Sequence, residues 1–218
     1  MARLAKGLFG GFSGKLGDLV GYSRNGKDLV RTKGKSTKPA TEKQLAVRQK
    51  ISVLNTALSA MLTVINVGFR LVIKGMDKSP FNAAVSYNFK HACVGSYPSI
   101  GIDYSKLLIS KGTLPPAFGA KVGIVPGGLE FSWGLDPAIQ DNILNDRAML
   151  LIYYPDPNHL PASNENVVCV LIGAQRKALK DVIELPEAYL TAPMHCYIAF
   201  AAEDGSNISD SVLAEVLV

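Results

Sequence analysis

The sequence predicts an α+β protein, with an N-terminal β-hairpin and a helical segment followed by an antiparallel β-sandwich. Three observations predict it. Asn25-Gly26 sits between two short runs rich in β-formers. An apolar stripe at three- and four-residue steps runs from Val47 to Ile65. After Pro116, short apolar runs recur at roughly ten-residue spacing with turn residues between them.

The 218 residues are 48% hydrophobic and 19% charged, enough to bury a core and unlike a disordered chain. The charge is unevenly placed. Residues 1–50 hold twelve of the 23 Lys and Arg but only three acids, Asp18, Asp28 and Glu42, so they carry +9 of a total of +5. The remainder is −4. Such asymmetry describes a basic arm on a mildly acidic body. Cys93, Cys169 and Cys196 form no CxxC and give neither a disulfide framework nor a zinc pattern. The start of the chain lacks the continuous apolar run of a secretory signal, so the expected location is cytoplasmic, with release in a particle or by lysis left open.

The first forty residues read as a glycine-rich basic arm. Within it, residues 19–24 and 28–32 flank Asn25-Gly26, a pair that tolerates the positive φ angles of a tight type I′ turn. A lone hairpin is marginal in water, so this one is expected to pack on something. A basic linker from Lys33 to Lys38 ends at Pro39.

Residues 41–115 read as a helical segment. Thr41-Glu42-Lys43-Gln44 has the form of a capping box. Val47, Ile51, Leu54, Leu58, Met61 and Ile65 then define one stripe on a helix of about 25 residues that closes near Gly68. The stripe suits core packing better than a seam between chains, because it is short and has few flanking charges. Residues 51–69 are uncharged, but Ser52, Asn55, Thr56, Ser59, Thr63 and Asn66 fall on one face. That is the pattern of an amphipathic helix, and no membrane span is expected. Ser79-Pro80 restarts the chain as an N-cap with proline at the first helical position, and a second helix is expected over 81–94. Residues 102–110 read as a strand or extended connector. Gly112 to Pro116 marks a boundary.

Residues 116–218 read as the sandwich. Its expected strands are 120–125, 129–133, 148–154, 167–172, 178–185, 195–201 and 212–218. Leu129, Phe131 and Trp133 alternate with Glu130 and Ser132, which buries one face. The runs at 148–154 and 167–172 are apolar on both faces, as central strands can be.

With Trp133 in an early strand, Leu185-Pro186 before a late one, and Tyr197, Asp204-Gly205 and Ser209-Asp210-Ser211 near the end, this part resembles an immunoglobulin- or fibronectin type III-like domain. A second resemblance covers nearly the whole chain. Gly14-Lys-Leu-Gly17, Val20-Gly21-Tyr22, Gly26-Lys27, Val30-Arg31, Thr41, Gln44, Arg48, Ala84-Val-Ser-Tyr-Asn88 and Ser110-Lys-Gly112, in that order, resemble a family of bacterial proteins of unknown function. That resemblance implies no activity, cofactor or site. The glycine-rich hairpin with Thr41, Gln44 and Arg48 is also similar to segments of some phage and prophage structural proteins.

The residues offer little catalytic chemistry. Gly14-Lys15 is followed by Leu16, and Phe9 stands where a phosphate loop needs glycine. No Gly-x-Ser-x-Gly elbow exists. His91, His159 and His195 show no metal spacing, and His195 and Cys196 are strand neighbours that point to opposite faces. Asp136, Asp141, Asp146 and Asp156 read as solvated turn acids. No enzyme activity, cofactor or metal is expected.

The arm remains. Lys15, Tyr22, Arg24, Lys27, Arg31, Lys33, Lys35 and Lys38 are its candidate interaction residues. The expected function is a non-enzymatic structural or interaction protein that binds a protein partner or itself through the arm. The alternative is nucleic-acid binding, with the cations on phosphates and Tyr22, Phe9 and Phe12 stacking on bases.

Overall fold

The computed structural model describes residues 3–4, 7, 10–24, 26–34, 38–135, 143–156 and 166–217. The chain divides into two compact units, Met1–Thr41 and Glu42–Val218.

The first unit is a four-stranded antiparallel sheet in the order β1-β2-β3-β4: Arg3–Leu4, Phe12–Leu16, Leu19–Arg24 and Lys27–Thr32. The expected hairpin is its β3–β4 pair, in the register a two-residue loop requires, with Arg24 opposite Lys27. Gly26 has φ +74°, as a type I′ turn asks, and Asn25 lies outside the described residues. The sequence did not foretell β2. A second two-residue turn at Gly17-Asp18, with Gly17 at φ +59°, folds it onto β3 so that Leu16 faces Leu19.

The second unit opens with α1 (Glu42–Ala60), which starts directly after Thr41. The single helix of about 25 residues is corrected here. α1 ends at Ala60, and α2 (Leu62–Gly68) leaves at 91° to it. Thr56 Oγ1 donates to the Ser52 carbonyl (3.0 Å) and Ser59 Oγ to the Thr56 carbonyl (3.0 Å), bonds of the kind that bend helices. The stripe is also used only in part. Leu54, Leu58, Met61 and Ile65 are fully buried, while Val47 and Ile51 are exposed. Among the described residues no single helix is long and apolar enough to cross a membrane.

α3 spans Pro80–His91, with the Ser79 side chain accepting from the Asn82 amide at 3.2 Å. It ends short of the expected Val94, because β5 (Cys93–Val94) pairs with β6 (Gly101–Ile102). Residues 103–106 make a turn, and 107–112 form a connector rather than a strand. Asn88 is buried and holds it at two points: its amide donates to the Leu108 carbonyl (2.8 Å) and its oxygen accepts from the Leu108 N–H (2.9 Å). Ser110 Oγ donates to the Ser209 carbonyl at 2.9 Å, and a Cβ on Gly112 would run into the Ile208 carbonyl. The Asn88 and Ser110–Gly112 motifs thus lock one connector.

Two multi-stranded sheets follow and pack together. One has the order β11-β8-β7-β14: Lys180–Glu184, Gly128–Gly134, Phe118–Val125 and Glu215–Leu217. The other has the order β10-β9-β12-β13: Val167–Val170, Arg147–Tyr153, His195–Ala201 and Val212–Leu213. Three expectations change. The run at 212–218 is two strands, breaking at Ala214 and crossing from one sheet to the other. Its second half pairs with β7 in parallel, so the sandwich is not wholly antiparallel. β10 is an edge strand and not a central one.

The two sheets enclose one core, of Val122, Leu129, Phe131 and Trp133 against Leu150, Ile152, Cys196, Ile198 and Phe200. A second core lies on the far face of β9 and β12, where Met149, Leu151, Tyr197 and Ala199 meet Leu54, Leu58, Met61, Ile65 and Phe69 of the helices. β9 is therefore apolar on both faces because both are covered. β10, though at an edge, is half-buried on both: Val167 and Cys169 pack on the helical side, Val168 and Val170 between the sheets.

Candidate interaction surface

The first unit supplies the one place where the arm's candidate residues gather. Directly paired residues share a sheet face, and neighbours along a strand alternate. The register pairs Lys15 with Val20 and Val20 with Arg31; next come Tyr22 with Leu29, then Arg24 with Lys27. All seven residues lie on one face. Arg3, opposite Ser13, joins them at the edge. Lys15, Tyr22, Arg24, Lys27 and Arg31 are exposed, and among the described residues none of the four cations forms an ion pair.

Lys33 lies one step past β4, where its amide donates to the Asp18 carbonyl at 2.7 Å. Lys38 is exposed beyond the sheet. Lys35 and Phe9 lie outside the described residues. Phe12 is on the other face, where its ring covers Gly21, so it does not join Tyr22.

That other face is nearly uncharged. It carries Phe12, Gly14, Leu16, Leu19, Gly21, Ser23, Val30 and Thr32, with Asp28 as its one ionisable group among the described residues. Leu16, Leu19 and Val30 are 59%, 41% and 55% exposed. Gly21 is the unit's single buried residue among those described, so this sheet is one layer with no core of its own. The sequence held a signal for both faces: Val20, Tyr22 and Arg24 alternate with Leu19, Gly21 and Ser23.

Elsewhere the chemically capable groups serve packing. The His195 ring stacks on Tyr104 with centroids 3.9 Å apart, and burial lowers its pKa. Cys196 points the opposite way into the inter-sheet core, where burial pushes its thiol up to about 12. The His91 ring lies tilted against Tyr87, with centroids 4.4 Å apart. Cys93, Cys169 and Cys196 are free thiols. Asp146 is no solvated turn acid: it is 4% exposed and 3.6 Å from the Arg176 guanidinium. His159, Asp136 and Asp141 lie outside the described residues. Among the described residues no three His, Cys, Asp or Glu side chains are grouped as metal ligands.

The model of a family of unknown function, DUF6266, matches residues 11–214. The chain belongs to that family. No curated protein and no solved structure matches it. The DUF6266 match takes in β2, β3 and β4 and most of the second unit. The resemblance to proteins of unknown function is borne out. DUF6266 assigns no reaction to any residue.

Proposed function

We propose that this DUF6266 protein is a non-enzymatic structural or interaction protein that self-associates through the apolar face of its N-terminal sheet. One observation carries the reading: Leu16, Leu19 and Val30 are exposed on a single-layered sheet whose Lys15, Arg24, Lys27 and Arg31 lie on the opposite face. A sheet with one apolar face needs a second layer. A second copy fits, because two such faces meet about 10 Å apart with Lys15, Arg24, Lys27 and Arg31 turned away from the seam, and a two-fold axis makes the contact self-complementary. Light scattering on the full chain is expected to give a multiple of 23.3 kDa, and Leu16→Lys with Val30→Lys to give the monomer. A wild type that stays at 23.3 kDa at every concentration sinks the proposal.

Two finer readings belong with it. The sandwich of residues 116–218 is fibronectin type III-like: β7 and β8 lie in one sheet, β9 and β10 in the other, β11 returns to the first and β12 to the second, with Trp133 in the core between them. The absence of enzymatic activity is supported by the separation of His195 from Cys196; turnover in a screen of ester, phosphate and glycoside substrates would reverse it. The basic face favours a second role, in nucleic-acid contact, since it brings Lys15, Arg24, Lys27 and Arg31 around Tyr22.

A further inference from the structure

We infer that the basic face binds single-stranded nucleic acid, with one base stacked on Tyr22 and Lys15, Arg24, Lys27 and Arg31 on the flanking phosphates. This rests on the second role above and names its ligand.

The face is built in rows. Arg24 and Lys27 form one, Tyr22 and Leu29 the next, and Lys15, Val20 and Arg31 the third. Rows are two residues apart, so the outer, cationic rows stand about 13 Å from each other with the aromatic row between them. No acid lies on this face among the described residues: Asp28 is on the other, and Asp18 is in the turn. Arg24 and Lys27 are directly opposite, an arrangement that destabilises a strand pair until an anion neutralises it.

One feature selects a single strand over a duplex. An exposed ring reaches a base only where the base is unstacked. Among the described residues the face carries no Asn, Gln, Asp or Glu to read base edges, and stacking accepts any base, so binding is expected to vary little with sequence.

The test is fluorescence anisotropy of the full chain with labelled oligothymidine, a duplex of equal length, and polyglutamate. The single strand is expected to bind best. With four cations, the log–log salt slope is about −3. Tyr22→Leu weakens binding by about 5- to 100-fold while Tyr22→Phe retains it. Arg24→Gln with Lys27→Gln removes the like-charge pair, so it folds at least as well yet loses affinity and about half the slope. Equal binding of strand and duplex, with Tyr22→Leu unaffected, overturns the single-strand inference and leaves nucleic-acid contact standing. Polyglutamate bound as tightly as the strand makes this a docking face for acidic protein, and both fall. No binding at low salt also removes both.

Discussion

The guanidinium carbon of Arg176 lies 3.7 Å from the centroid of the Phe200 ring, inside the sandwich. Arg176 is 1% exposed. Its Nη2 donates to the Pro115 carbonyl at 2.8 Å, and its own carbonyl accepts from Trp133 Nε1 at 2.7 Å. Asp146 stands 3.6 Å away, close enough for charge pairing but too far for a hydrogen bond. Burial pushes the Asp146 carboxyl up and the Arg176 guanidinium down, which is the cost of taking both ions out of water. Arg176→Met strands a buried carboxylate and is expected to cost about 3–5 kcal/mol in urea unfolding. Adding Asp146→Leu should restore much of that, since an apolar pair in place of a buried ion pair is near neutral. A double variant no more stable than Arg176→Met would refute this account.

The helices and the sandwich share the core on the far face of β9 and β12. Residues 42–218 are therefore expected to unfold in one step. Trp133, the sole tryptophan, reports the inter-sheet core, and far-UV circular dichroism reports the helices. The two urea curves should coincide. Leu58→Ala, at a fully buried site on α1, should move both together by about 2–5 kcal/mol. Separate midpoints would show that the helical segment folds alone.

Asn88 satisfies both backbone groups of Leu108. Asn88→Leu is expected to cost about 1–3 kcal/mol for each group left without a partner. Hydrogen exchange should find the Leu108 amide exposed first. An amide as protected as in the wild type would mean that packing alone holds the connector.

Burial lowers the His195 pKa below its usual 6.5, so the folded protein favours the neutral ring. Between the folded and unfolded values the unfolded chain binds the extra proton. The contribution is thus whole above pH ~6.5 and is lost as pH falls below it. His195→Gln should flatten stability against pH in that window. An unchanged slope would place the acid sensitivity elsewhere.

Much of this was legible because it is local. Asn25-Gly26 specified a hairpin and its register, and Ser79-Pro80 marked the start of a helix. Alternation in 129–133 and the double apolarity of 148–154 foretold strands buried on one face and on two. β2 escaped notice because Phe12-Ser-Gly-Lys-Leu16 has no β pattern of its own; the ladder to β3 makes it a strand. The helix break is not legible because the stripe runs unbroken through Met61, while the bend goes with the Thr56 and Ser59 side-chain bonds to the backbone and with where Leu54 to Phe69 pack. The split at Ala214 carries no turn residue. For the surface, the number of cations was plain, but pairing across three strands was needed to put Lys15 beside Arg31 and to part Phe12 from Tyr22.

By itself the sequence determined the element types, the turn chemistry and the charged arm, since these follow from interactions between residues a few positions apart. The tertiary structure alone decided which sheet each strand joins, where α1 yields to α2, and which face of the arm carries the charge. Those outcomes depend on partners far along the chain. A one-residue slip in register would exchange the basic face of the N-terminal sheet for the apolar one.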